Sequence, residues 1–250
     1  MISNHVASAK ASWSSTIEAL ASFLRSPRLA DPSRRTARSK LATTLWLFVL
    51  SMLVTAAFAF AALPFILTSK SSVAGGLSNV LDQPVVTIIF AVVILGPLIE
   101  EMMFRGWLTG TWQALIGTAA LIAIFYTGPP FAKDFIDAPF LALQLVFSAL
   151  GLAIVYALAS SQPRSPIRGF ERLFPLIFWG QGIVFGVLHF RNLYSDSIAL
   201  PLLMTLPLVV CGWLWGYARV VLGLPAALML HMAYNVPSAV GMVVFIAMAG

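Results

Sequence analysis

Apolar runs long enough to cross a lipid bilayer recur along most of this chain, and that feature limits its fold more than any other. In the hydrocarbon core every backbone N–H and C=O must be satisfied inside the protein, which a continuous helix does by itself. An α-helix needs about 20 apolar residues to span that core. Composition agrees: 60% of the 250 residues are hydrophobic and 10% are charged, a balance that would expose too much apolar surface in a water-soluble domain. We expect an all-α, polytopic transmembrane helix bundle of about seven to eight spans around an intramembrane polar cavity. Such a bundle fills the chain and leaves no room for a separate soluble catalytic domain. The single cysteine, Cys211, cannot form an internal disulfide and stands beside Gly212 in an apolar run, where packing is its expected role.

The net charge of +6 is concentrated before the first apolar run. Lys10, Arg25, Arg28, Arg34, Arg35, Arg38 and Lys40 stand against Glu18 and Asp31, so residues 1–40 form a basic arm. Basic residues flanking a span are retained on the cytoplasmic side, and they suit contact with anionic lipid better than nucleic-acid binding. A cleaved signal peptide is not expected, because the run at 41–67 is longer than the short apolar core such a peptide carries. Ile17, Leu20, Phe23 and Leu24 recur at helical spacing, which predicts a short amphipathic surface helix ending near Pro27.

Residues 41–250 then read as the transmembrane helical domain. The first span is 41–67. The stretch 84–126 has two readings: a span ending near Glu100 and another starting at Trp107, or one long helix bent at Gly96 and Pro97 that carries its charges inside the membrane. Further spans are expected at 140–160, 173–190, 198–217 and 224–249. The loop holding Arg164, Arg168 and Arg172 against Glu171 is basic, whereas the one holding Lys133, Asp134 and Asp137 is acidic. Seven crossings from a cytoplasmic N-terminus, in a bacterial inner membrane, put the basic loop inside and the acidic one outside. For Glu100 and His189 to meet within the bilayer, the Glu100 helix should continue through Phe104 and Leu108, and 191–197 should line a polar cavity.

Ionisable groups inside membrane segments are costly, and by default they mark function. Three clusters break the apolar runs. Glu101 and Arg105 are one helical turn apart and can pair, while Glu100 shares its row with Phe104 and points about 100° away. A solvated helix end with an ordinary surface ion pair is the plain alternative. Phe185 and His189 are also one turn apart, and Gly182 and Gly186 on the same segment allow a neighbouring helix to approach closely. His231 and Asn235 repeat the one-turn spacing; two hydrogen-bonding groups so placed can hold an oxyanion or orient a water, or serve as polar glue between helices. Gly212 and Gly216 form a G-x-x-x-G ahead of them, a small-residue packing pattern.

In their order these clusters are specific. Glu100-Glu101-Met-Met-Phe104-Arg105-Gly106 resembles the E-E-x-x-x-R motif of the CAAX prenyl protease and bacteriocin-processing family, Phe185 to His189 its F-x-x-x-H, and His231 to Asn235 its H-x-x-x-N. The resemblance covers a core at about residues 84–236, and the wide separation of the first two motifs leaves space for an additional helical pair. Other intramembrane protease classes fit poorly, since the chain has no H-E-x-x-H helix, no G-x-S-x-G turn and no paired intramembrane aspartates.

The resemblance implies peptide-bond hydrolysis by an activated water. Glu100 and His189 are then expected to hold and deprotonate that water, His231 and Asn235 to stabilise the oxyanion, Glu101 and Arg105 to fix the first helix, and Phe104 and Phe185 to contact substrate. No cofactor is expected; the alternative is a zinc site of Glu100, His189 and His231. The expected partners are a peptide or protein substrate, lipidated or membrane-associated, together with membrane lipids, and no nucleic acid. A non-catalytic scaffold for a membrane-protein partner is the reading from a different class. A small-molecule transporter would carry an internal repeat with paired broken helices, and none is found.

Overall fold

Helix α1 (Trp13–Arg25) starts where Ser12 caps it. The Ser12 hydroxyl accepts the Ser15 N–H, and the Ser15 hydroxyl accepts the Ser12 N–H, which satisfies two donors at the helix start. Its apolar face buries Thr16, Leu20 and Phe23. Phe23 meets Phe178 and Tyr217 edge to face, at 5.0 and 5.1 Å between ring centroids. The expected amphipathic helix is therefore present and stops just short of Pro27, but its apolar face is seated on protein. After α1, Asp31 accepts hydrogen bonds from the hydroxyl and backbone N–H of Ser33 at 2.6 and 2.9 Å. Those bonds hold its carboxyl below the ordinary value and turn the chain into α2 (Ala37–Thr68), which contains the expected first span.

The computed structural model describes residues 12–68, 84–127, 165–190 and 198–249. Within these residues the regular structure is helical, with no strand. Five helices are long and apolar enough to cross a membrane: Ala37–Leu67, Val85–Thr109, Phe170–Phe190, Ala199–Val221 and Leu224–Met248. A shorter apolar helix covers Trp112–Ala123. The span expected at 140–160 and the polar stretch 191–197 lie outside the described residues.

Neither reading of 84–126 holds as stated. One helical run carries the charges: α3 (Val85–Ile89), a π-helical turn (Phe90–Leu95), α4 (Gly96–Arg105) and a 3-10 turn (Gly106–Thr109) follow without a break. It passes through Phe104 and Leu108, so Trp107 belongs to its end and does not begin a new span. It also stops well before Tyr126. Gly110 ends it with φ of 69°, a left-handed conformation natural to glycine. A Cβ there would overlap the Phe170 ring, and the Gly110 carbonyl accepts the Ile167 N–H at 2.9 Å. Helix α5 (Trp112–Thr127) follows the turn. The remaining helices are α6 (Phe170–Phe190), α7 (Ala199–Val221) and α8 (Leu224–Ala249).

The chain divides into two compact units, Met1–Leu98 with Phe174–Gly250, and Ile99–Leu173. In the first, α7 is the core helix, burying Cys211, Gly212, Leu214, Trp215, Gly216, Tyr217 and Ala218. Helices α2 and α8 pack against it and against each other. Helix α6 crosses α7 through glycines: a Cβ on Gly212 would lie 2.9 Å from the Gly182 Cα, and one on Gly186 would collide with Val209. The close approach expected of Gly182 and Gly186 is thus made, with α7 as the neighbour.

Candidate active site

On α4, Glu101 and Arg105 are four residues apart and fully buried, each with 0% of its surface exposed. Arg105 Nη1 donates to Glu101 Oε1. Two charges removed from water are tolerable only when they neutralise each other at contact, so the plain alternative of a solvated helix end is ruled out. Glu100 and Phe104 lie on an adjacent face and are half-buried. In the unit that holds these residues, Thr118 on α5 donates to the Met102 carbonyl at 3.2 Å. A Cβ at Gly106 would be 3.0 Å from the Thr118 hydroxyl oxygen, so the glycine that follows Arg105 lets α5 lie close to the end of α4.

The other motifs are brought together in the first unit. The α6–α7 crossing is fastened by two side chains: Gln181 Nε2 donates to the Gly212 carbonyl and Trp213 Nε1 to the Trp179 carbonyl, both at 3.0 Å. One turn along α6, Phe185 becomes the hub of a ring cluster. Its centroid is 4.7 Å from His189, 5.7 Å from Trp215 and 5.9 Å from His231. With 1% of its surface exposed, Phe185 is part of the packing that holds both histidines. Its ring packs against those of His189, Trp215 and His231.

His189 Nδ1 donates to the Phe185 carbonyl at 2.8 Å. A carbonyl oxygen only accepts, so in the neutral ring the proton is on Nδ1 and the lone pair on Nε2. His231, on α8, is buried with 3% exposure and lies against Trp215 with centroids 4.0 Å apart. Within this unit no third His, Cys, Asp or Glu joins the two histidines in a metal-holding group among the described residues. Asn235, one turn beyond His231 and half-buried, donates from Nδ2 to the Val92 carbonyl at 2.9 Å. That bond ties α8 to the π-helical turn.

Four supporting residues were not anticipated. Trp215 joins both histidine-bearing helices to α2 by donating to the Ser51 hydroxyl at 3.3 Å. Tyr234 lies edge to face on Trp215 at 5.0 Å, and its hydroxyl shares a 2.7 Å hydrogen bond with that of Thr55. The signal was present but weak: Trp215 falls inside the G-x-x-x-G, Tyr234 adjoins Asn235, and Ser51 and Thr55 are one turn apart on an apolar helix.

Neither a curated protein nor a solved structure matches the chain. A family model does: residues 82–237 match the one described as type II CAAX prenyl endopeptidase Rce1-like. The match takes in more than half of the chain and includes Glu100, Glu101, Arg105, Phe185, His189, His231 and Asn235. The chain therefore belongs to the type II CAAX prenyl endopeptidase Rce1-like family, a family of membrane proteases.

Proposed function

We propose that this protein is an intramembrane endopeptidase that hydrolyses a lipidated or membrane-associated peptide with a water activated by Glu100. The observation that carries the reading is the division of labour within α4: Glu101 and Arg105 are fully buried and neutralise each other, while Glu100 is half-buried on another face. A half-buried carboxylate beside a pair that neutralises itself can take a proton from water. His189, with its Nε2 lone pair, shares and orients that water.

Attack on the scissile carbonyl puts negative charge on its oxygen, which His231 and Asn235 stabilise as donors. The Asn235 amide has two N–H bonds, so its bond to Val92 leaves a second for the oxyanion. The proton taken by Glu100 passes to the leaving amine nitrogen as the C–N bond breaks. Phe104, in the same row as Glu100, contacts the substrate. The bundle is proposed to have seven to eight spans around a polar cavity open to lipid, about the number that the apolar runs allow. Its basic arm is proposed to lie on the cytoplasmic face of a bacterial inner membrane.

The test uses purified protein in lipid nanodiscs, a farnesylated peptide ending in C-a-a-X and its unprenylated counterpart, with products read by mass spectrometry. Cleavage of the prenylated peptide that withstands strong chelators is the expected result. No cleavage of any peptide would favour a scaffold, and chelator inactivation reversed by zinc would favour a metalloprotease.

A further inference from the structure

We infer that Asn235 is also a positioning residue: its amide supplies the hydrogen bond that Pro97 cannot make, and so holds the π-helical turn from which the Glu100-bearing helix starts. In that turn the Gly96 N–H reaches five residues back to the Ala91 carbonyl. The next donor in the same register would be residue 97 reaching Val92, and proline has no N–H to give. Val92 is the carbonyl that Asn235 Nδ2 takes, at 2.9 Å.

Pro97 is buried, and away from water an unmet carbonyl is paired by a neighbouring helix or the backbone shifts. The shift open to a π turn is loss of its extra residue, which returns the segment to α-helix. Everything beyond would then rotate by about 100°, one residue's turn of a helix, which is also the angle between Glu100 and Glu101. Gly96 belongs to the same device, since a Cβ there would lie 3.0 Å from the Ala91 oxygen. The catalytic consequence rests on the function proposed above; the brace does not.

The test is a double-mutant cycle in nanodiscs, with Asn235→Ala and Asn235→Leu each made in the natural background and in Pro97→Ala. Melting temperature and cleavage of the farnesylated peptide are the readouts. Leucine nearly keeps the shape of asparagine but cannot donate. With Pro97 present, both substitutions should lower the melting temperature by about 2–4 °C and lower kcat with KM nearly unchanged. Pro97→Ala restores an N–H that reaches Val92, so both losses should shrink by at least half. Equal losses in the two backgrounds would overturn the brace, and a role confined to the oxyanion gives that result. If Pro97→Ala does not fold, unchanged melting of Asn235→Leu overturns the inference and a loss matching Asn235→Ala sustains it. If no peptide is cleaved by the natural protein, the proposed function fails while the melting cycle still decides the brace.

Discussion

In α4, a carboxylate and a guanidinium four residues apart neutralise each other within a single helix, whereas around Phe185 two histidines are held by rings drawn from α6, α7 and α8. The first arrangement is local: any α-helix with this spacing brings the pair together, and burial makes it obligatory. The second is assembled by helix crossings, and it depends on glycines and hydrogen bonds remote from the histidines. Damage to the first should be electrostatic, and damage to the second should be geometric.

The largest expected effect separates chemistry from both kinds of scaffold. Glu100→Gln should lower turnover by about 10²–10⁴-fold, measured on the farnesylated peptide. Next is the crossing that assembles the ring cluster. Gly182→Val would drive a side chain into the Trp213 ring, and equilibrium unfolding should show a loss of about 3 kcal/mol, the upper range for overpacking. Turnover should fall with it, because His189 is carried on the same helix.

Glu101→Gln tests the local arrangement. The amide still accepts a hydrogen bond from Arg105 but no longer carries the charge that its Nη1 meets, so stability should fall by about 1–3 kcal/mol. Since one arrangement is local to a single helix and the other is built by helix crossings, the Gly182→Val and Glu101→Gln losses should add to within about 0.5 kcal/mol. Strong coupling between them would break the distinction drawn here. The smallest effect is expected from Tyr234→Phe, which removes the hydroxyl bonded to Thr55. Hydrogen bonds between membrane helices average about 0.6 kcal/mol, and turnover should stay near that of the natural protein.

What was legible in the sequence follows the same division. The helix at Leu224–Ala249 matches its expected bounds, because a long apolar run between a turn glycine and the chain's last residues has one reading. The Glu101–Arg105 pair and the glycine-mediated approach to α6 were also visible, each being a matter of spacing on one helix. The π turn was not: Gly96 and Pro97 signal a bend, but a five-residue hydrogen bond and its completion by Asn235 depend on a partner more than a hundred positions away. Nor was the seat of α1, since an apolar face of Leu20 and Phe23 suits lipid as well as Phe178 and Tyr217. The setting of Phe185 was hidden for the same reason: its place in a motif gives no sign that three rings lie against it, two of them from other helices.

The central claim is that Glu100 does chemistry while Glu101, its neighbour in the chain, does structure. The most direct test is the melting temperature of Glu100→Gln beside that of Glu101→Gln, in the same nanodiscs and with turnover recorded on each sample. The account predicts that Glu100→Gln melts like the natural protein and is inactive, and that Glu101→Gln melts lower. Equal melting losses in the two variants, or turnover near the natural rate in Glu100→Gln, would contradict it.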